Sequence, residues 1–276
     1  MNNRKVFHGL FYFFLCLILT VFLFDWLIPK AASRVTPSEI SQSDERPILH
    51  YIAIGDSLTE GVGDTTGQGG FVPLLAQDLA NQLSVDVVDA NYGIAGNTSN
   101  QILKRMKSDK KLQADLKRAD LMTLTVGGND LRKVIMNNIT DLKVSSFNKP
   151  SKDYAKRLKE IIDYAHKQNK DLPIYVVGIY NPFFLSFPEM TEMQTIVDNW
   201  NEVTAKTLEE QDKVYFVPIN DLLYKGLEEE VGVSSTDAGT RNNLLYNEDS
   251  FHPNNTGYEI IKKAIVEKIH ETPKEW

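Results

Sequence analysis

Ile48-Leu49-His50-Tyr51-Ile52-Ala53-Ile54-Gly55-Asp56-Ser57-Leu58-Thr59 is the stretch whose reading decides the fold class. Residues 48–54 are β-rich and apolar, and they run into a glycine turn, as a buried strand would. Working outward, further short apolar runs occupy 85–89, 121–126, 173–179 and 214–218. Between and after them lie segments with helical periodicity: 71–82, 101–106, a helix beginning over 131–138, 154–169, 196–210 and 255–269. Strand and helix alternate throughout, which implies βαβ units and a parallel sheet covered on both faces. Ligands in such sheets bind at the carboxyl ends of the strands, so the chemistry is sought in the residues just past each strand.

The first strand leads into Gly55-Asp56-Ser57-Leu58-Thr59. Ser57 stands where strand becomes helix, a place where backbone N–H groups can stabilise an oxyanion; a Ser or Asp helix cap accounts for the same residues. The second strand leads into Asn91-Tyr92-Gly93-Ile94-Ala95-Gly96-Asn97-Thr98-Ser99, either a loop aiming an N–H at a ligand or a plain loop with a Thr or Ser cap. The third ends in Val126-Gly127-Gly128-Asn129-Asp130, where the Asn129 amide can face an oxyanion or the segment can be a capped turn. Near the C-terminus stands Asp249-Ser250-Phe251-His252-Pro253-Asn254. An Asp three residues before a His can fold back onto Nδ1 and leave Nε2 as a general base. Pro253 is expected to preset the first turn of the last helix. His8 falls in an apolar leader, His50 at the far end of strand one, and His166 and His270 in helices, so His252 is the candidate base.

The composition bounds the function. The 276 residues are 42% apolar and 10% aromatic, enough for one α/β domain with a substantial core. A net charge of -7 argues against general nucleic-acid binding, which requires clustered Lys and Arg. The single cysteine, Cys16, cannot form an internal disulfide, and no Cys/His spacing suggests zinc. No metal or organic cofactor is expected. Gly61-Val62-Gly63 and Gly67-Gln68-Gly69-Gly70 lack the Gly-Lys-Ser/Thr of a P-loop and read as a flexible loop beside the site.

Residues 1–29 stand apart. Arg4 and Lys5 precede residues 10–24, an apolar run broken only by Thr20. This is a signal peptide or an uncleaved anchor of roughly 30 Å span, and the sole small-residue cluster for cleavage is Ala31-Ala32-Ser33. Trp26 suits a membrane interface and Lys30 can snorkel. Residues 30–46 read as a flexible linker and 47–276 as the domain. Either reading puts the domain on the extracytoplasmic side, tethered to the cell membrane by a single pass or secreted.

Four ordered blocks carry a resemblance to the SGNH (GDSL-like) hydrolases: Ile54-Gly55-Asp56-Ser57-Leu58-Thr59, Gly93-Ile94-Ala95-Gly96-Asn97-Thr98-Ser99, Gly127-Gly128-Asn129-Asp130 and Asp249-Ser250-Phe251-His252-Pro253. The likeness covers about residues 48–271 and is closest to bacterial membrane-anchored or secreted members. It implies a flavodoxin-like three-layer α/β/α sandwich whose five parallel strands run in the order 2-1-3-4-5. It also implies a Ser57–His252–Asp249 triad and an oxyanion hole formed by Ser57, Gly96 and Asn129, with Gly93 the competing glycine. The implied activity is a serine esterase or lipase-type acylhydrolase on lipid or short acyl esters. The alternatives are an O-acetylesterase of envelope glycans and an idle binding protein on the same fold. The apolar loop Tyr180 to Pro188 is expected to form an acyl wall or lid, or to pack on the next helix.

Overall fold

The computed structural model describes residues 3–27, 46–138, 142–227 and 242–272. The chain divides into two units, 1–45 and 46–276. The first contains α1 (Asn3–Leu27). Its described side chains, at 8, 12–20, 22–24 and 27, are exposed, with Phe13, Phe14, Leu17, Ile18, Leu19 and Phe22 all at least half accessible. Among the described residues no helix is long and apolar enough to cross a membrane. Nearly all of the expected linker, and the leader from 28 onward, lies outside the described residues.

The second unit is built on β1 (Ile48–Gly55), β2 (Asp86–Gly93), β3 (Leu121–Thr125), β4 (Ile174–Val177) and β5 (Val214–Val217). All pair in parallel, in the order β2-β1-β3-β4-β5. The expected flavodoxin-like arrangement is therefore the observed one. The strand order reverses beside β1, so the crevice at its carboxyl end is the topological switch point.

Side-chain alternation along the strands divides the core in two. Ile52, Ile54, Met122, Leu124, Ile174 and Val176 point to one face. There they meet α4 (Ser99–Ser108), α5 (Lys110–Arg118), α6 (Gly128–Asn137), α7 (Asn148–Gln168) and α8 (Thr191–Glu209). Tyr51, Ala53, Tyr175, Val177 and Val217 point to the other face. They pack on α3 (Phe71–Leu83), α9 (Asn220–Leu223) and α10 (Asn255–Glu271), while α2 (Ser57–Glu60) sits at the strand tip. In α7 the buried Tyr154, Leu158, Ile161, Ile162 and Ala165 keep to the helical repeat. Each large apolar side chain so buried contributes about 1.5–3 kcal/mol.

Three expectations are corrected. The second strand extends to Gly93, four residues past the expected end, because Asn91, Tyr92 and Gly93 continue in register opposite Ala53, Ile54 and Gly55. It is an edge strand with mostly exposed or half-exposed residues, so its polar members cost little. The helix at 110–118 was not legible because only Leu112 and Leu116 mark its buried side; Asp109 starts it by accepting from the Lys111 and Leu112 N–H groups. Helix α10 begins at Asn255 with Asn254 as its cap, so Pro253 does not occupy the first turn. Pro253 instead forms a bridge with Leu245.

Candidate active site

Gly55 ends β1 where a Cβ atom would lie 2.1 Å from Thr125 Oγ1, so the strand tips approach closely only with glycine there. The next residue, Asp56, is 4% exposed and caps α2 by accepting from the Leu58 N–H. Its carboxylate also accepts from Thr125 Oγ1 at 2.8 Å. Burial raises the Asp56 pKa, opposed by the Thr125 and Leu58 hydrogen bonds. The cap and the candidate nucleophile are thus neighbours rather than rival readings of one residue. With Asp56 as the cap, the Ser57 hydroxyl is available to a partner 195 positions away.

That partner is His252, whose Nε2 lies 2.9 Å from Ser57 Oγ. Nδ1 of the same ring lies 2.5 Å from Asp249 Oδ2. Asp249 Oδ1 accepts from the N–H groups of Phe251 and His252 at 2.9 and 3.0 Å, so the carboxylate folds back over its own loop. Ser250 between them has φ 51°, a left-handed conformation that a non-glycine residue adopts only when its surroundings hold it. The holding bonds are Ser250 N–H to Tyr246 O (2.8 Å), Tyr246 N–H to His252 O (2.7 Å) and the Tyr180 hydroxyl to Phe251 O (2.5 Å). Partial burial works to raise the Asp249 pKa, but the hydrogen bonds from the His252 ring and from the His252 and Phe251 backbone outweigh it. The carboxyl therefore lies below its ordinary value and is ionised near neutrality. An ionised carboxylate only accepts, which puts the imidazole proton on Nδ1 and leaves Nε2 to accept from Ser57.

The two other segments meet each other through Asn129 on Asn97 O, and the second also packs on α2 through Gly93. A Cβ on Gly93 would lie 2.0 Å from the Glu60 nitrogen, so its bareness serves the packing of β2 on α2. A Cβ on Gly96 would meet nothing within 4 Å, and Gly96 has φ +77°. Gly96 and Asn129 line one open cleft of about 310 Å³. Asn129 donates one amide hydrogen to Asn97 O at 3.1 Å, which leaves its second hydrogen uncommitted. The N–H groups of Ser57 and Gly96 make no turn, loop or cap hydrogen bond among the described residues.

Sequence reading passed over the residues that hold these segments. Asp130, 8% exposed, accepts from the Ser99 N–H (2.7 Å), the Ser99 hydroxyl (2.6 Å) and Arg157 Nη2 (3.1 Å). It thereby ties the start of α6 to the start of α4. Arg105 donates to Gly55 O, Tyr92 O and Asn97 Oδ1, bracing the tips of β1 and β2. Asp130 stands beside Asn129 in the third segment, but nothing in the local sequence sets Arg105 and Arg157 apart from other helix-surface cations. The remaining domain histidines lie elsewhere: His50 near Asp120, His166 on Leu172 O and His270 on Gln82.

The glycine-rich segment 61–70 adjoins the site, as a Cβ on Gly63 would fall 3.3 Å from the His252 Cβ. It is more organised than its composition suggests. Asp64 accepts from the N–H groups of Thr66, Gln68, Gly69 and Gly70 and from the Thr66 hydroxyl. Tyr258 donates to Val62 O, anchoring the loop on α10. Desolvation raises the Asp64 pKa, yet these donors bring it down to about 2. A carboxyl depressed on folding stabilises above its unfolded pKa and ceases to do so as the pH falls through the folded one. Amide exchange at 66–70 is therefore expected to accelerate relative to the core in Asp64→Ala, and in the wild type as the pH drops from about 4 towards 2. Unchanged protection in the variant would show that the loop is held by other contacts.

The apolar loop after β4 reaches the loop that carries His252. The Phe183 ring lies tilted 6.0 Å from that of Phe251, the neighbour of His252, and Phe184 meets Tyr224 edge-on at 4.7 Å. Phe187 remains exposed.

A parallel sandwich with this strand order and a Ser–His–Asp line at its switch point is the architecture of an SGNH-type ester hydrolase. The chain belongs to the GDSL-like Lipase/Acylhydrolase family, whose model matches residues 53–260. It is 36% identical over 226 residues to the uncharacterized protein YpmR of Bacillus subtilis (strain 168), covering 81% of this chain and 83% of that protein. Among solved structures it resembles the lipase Lip_vut3 from a goat rumen metagenome, with TM-score 0.66 and 22% identity over 80% of this chain and 97% of the other. It also resembles a catalytic mutant of Axe2, an acetylxylan esterase from Geobacillus stearothermophilus, with TM-score 0.58 and 19% identity over 80% and 94%. The protein is a carboxylic ester hydrolase.

Proposed function

We propose that Ser57 is the nucleophile of this hydrolase, His252 its general base and acid, and Asp249 the group that orients and stabilises the imidazolium. The observation that carries the reading is the continuous line from Ser57 Oγ to His252 (2.9 Å) to Asp249 (2.5 Å). Ser57 Oγ attacks the ester carbonyl as its proton passes to Nε2. The same proton then leaves with the alcohol, and water, deprotonated by His252, releases the acid from the acyl-serine. The N–H groups of Ser57 and Gly96 and the free amide hydrogen of Asn129 are the donors for the oxyanion.

Lipid or short acyl esters are the favoured substrates, because Phe183 and Phe251 put aromatic surface next to His252. An O-acetylesterase of envelope glycans is the second reading, favoured by the structural likeness to an acetylxylan esterase. Hydrolysis of p-nitrophenyl acetate, butyrate and octanoate by the full chain, beside Ser57→Ala, separates them. Preference for octanoate or butyrate supports the lipid or short-acyl reading, and acetate preference the glycan reading. Turnover that survives in the variant would overturn the role of Ser57.

We also propose that residues 1–29 hold the protein at the cell membrane with the domain on the extracytoplasmic side. Arg4 and Lys5 precede a 15-residue apolar run, the charge and hydropathy pattern of a leader or anchor, and its described side chains are exposed. The protein should then stay with membranes after alkaline carbonate washing, and added protease should degrade the domain in cells stripped of their wall. Release by carbonate, with no processed soluble form outside the cell, would exclude both an anchor and a cleaved leader.

A further inference from the structure

The cleft that Gly96 and Asn129 share is also lined by Thr98 and by Arg132, Lys133, Met136 and Asn137 of α6. Among the described residues no acidic one lines it. The other two arginines near the strand tips are engaged in structure: Arg105 braces β1 and β2, and Arg157 pairs with Asp130. Arg132 and Lys133 are both exposed, and neither forms an ion pair among the described residues. In a chain of net charge -7, two adjacent cations in a cleft of about 310 Å³ are a local reversal of sign. They share that cleft with Gly96 and Asn129, two of the proposed oxyanion donors, which places a group they hold near the ester being cleaved.

We infer that the substrate is an ester carrying an anionic oxygen group, a phosphate or a carboxylate, which Arg132 and Lys133 receive. Arg132 presents a planar fork of donors suited to such an oxyanion, and Lys133 adds a mobile point charge. Met136 supplies a small apolar surface for the carbon chain between anion and ester. The inference rests on the ester-hydrolase reading built on Ser57 and narrows its substrates. It also sets a division within the site, with aromatic surface on the His252 side and positive charge on the Asn129 side.

The test compares matched pairs on the full chain and on R132Q/K133Q. One pair is monooleoylglycerol and lysophosphatidic acid, which places the anion on the alcohol. The other is p-nitrophenyl butyrate and p-nitrophenyl hydrogen glutarate, which places it on the acyl group. For at least one pair, the ratio of kcat/KM for anionic over neutral ester should exceed one in the wild type. It should fall at least tenfold in the double variant, and raised salt should lower it in the wild type alone. The pair that responds identifies the side bearing the anion. Ser57-dependent turnover with the same ratio in both proteins would overturn the inference and leave the esterase reading standing. Should neither protein hydrolyse any of the four esters, calorimetric binding of glycerol 3-phosphate decides it separately: binding lost in the variant supports the anion site, and equal or absent binding overturns it.

Discussion

Ser57→Ala is expected to lower kcat for a p-nitrophenyl ester by on the order of 10⁶ and to leave the fold intact. The hydroxyl is the only group removed, and it serves His252 alone, because the helix cap at this turn is Asp56. The variant should melt within a few degrees of the wild type, since α2 keeps its capping bond from Leu58. What survives would be roughly 10³–10⁴ over water, from oxyanion binding and positioning. On the proposal that Ser57 and His252 act as one unit, adding His252→Ala to Ser57→Ala should cost almost nothing further. Steady-state rates and melting curves on the two single variants and the double variant check this. Additive losses would show that the two residues do not act on one proton, whatever their 2.9 Å separation.

Asn129→Ala carries the second large effect, a fall of about 10²–10³ in kcat with little change in KM. The argument lies in how the amide is held. One hydrogen is bound to Asn97 O, which fixes the plane of the group, and Asn129 lines the cleft shared with Gly96. A donor fixed before the reaction loses no orientational freedom when charge develops on the carbonyl oxygen. Asn129→Asp should be worse than Asn129→Ala, because a carboxylate opposes both Asn97 O and the developing oxyanion. The order Asn, Ala, Asp in kcat, measured with melting temperatures alongside, distinguishes an electrostatic donor from a residue that only starts α6. Equal stability loss and equal activity in the two variants would favour the structural role.

Much of the arrangement was readable before any coordinates. The three segments after Ile54, Tyr92 and Val126 carry their small and polar residues because backbone and side chain must crowd at strand tips. Gly55 and Gly93 illustrate this, since a methyl group at either would collide with a neighbouring strand or helix. The choice between Gly93 and Gly96 was open in the sequence, where both are merely glycines in a loop. Packing separates them: Gly93 is pressed on Glu60, and Gly96 faces the cleft. Asp64 was equally opaque, because a carboxylate that gathers amides from 66 to 70 has no periodic signature.

Taken alone, the sequence determined the fold class, the strand order that its family resemblance implied and the identity of the residues brought to the switch point. The fold class and the candidate residues rest on local properties, namely apolar runs of strand length, helical spacing, and turn residues at each strand end, while the strand order rests on the resemblance. Only the tertiary structure decided how those residues are held. Asp130 with Ser99 and Arg157, Arg105 across two strand tips, Phe183 on Phe251 and the Arg132–Lys133 cleft all join positions distant in the chain. Such contacts depend on which helix faces settle against which strand ends, and no pattern within one segment encodes its partner across the core.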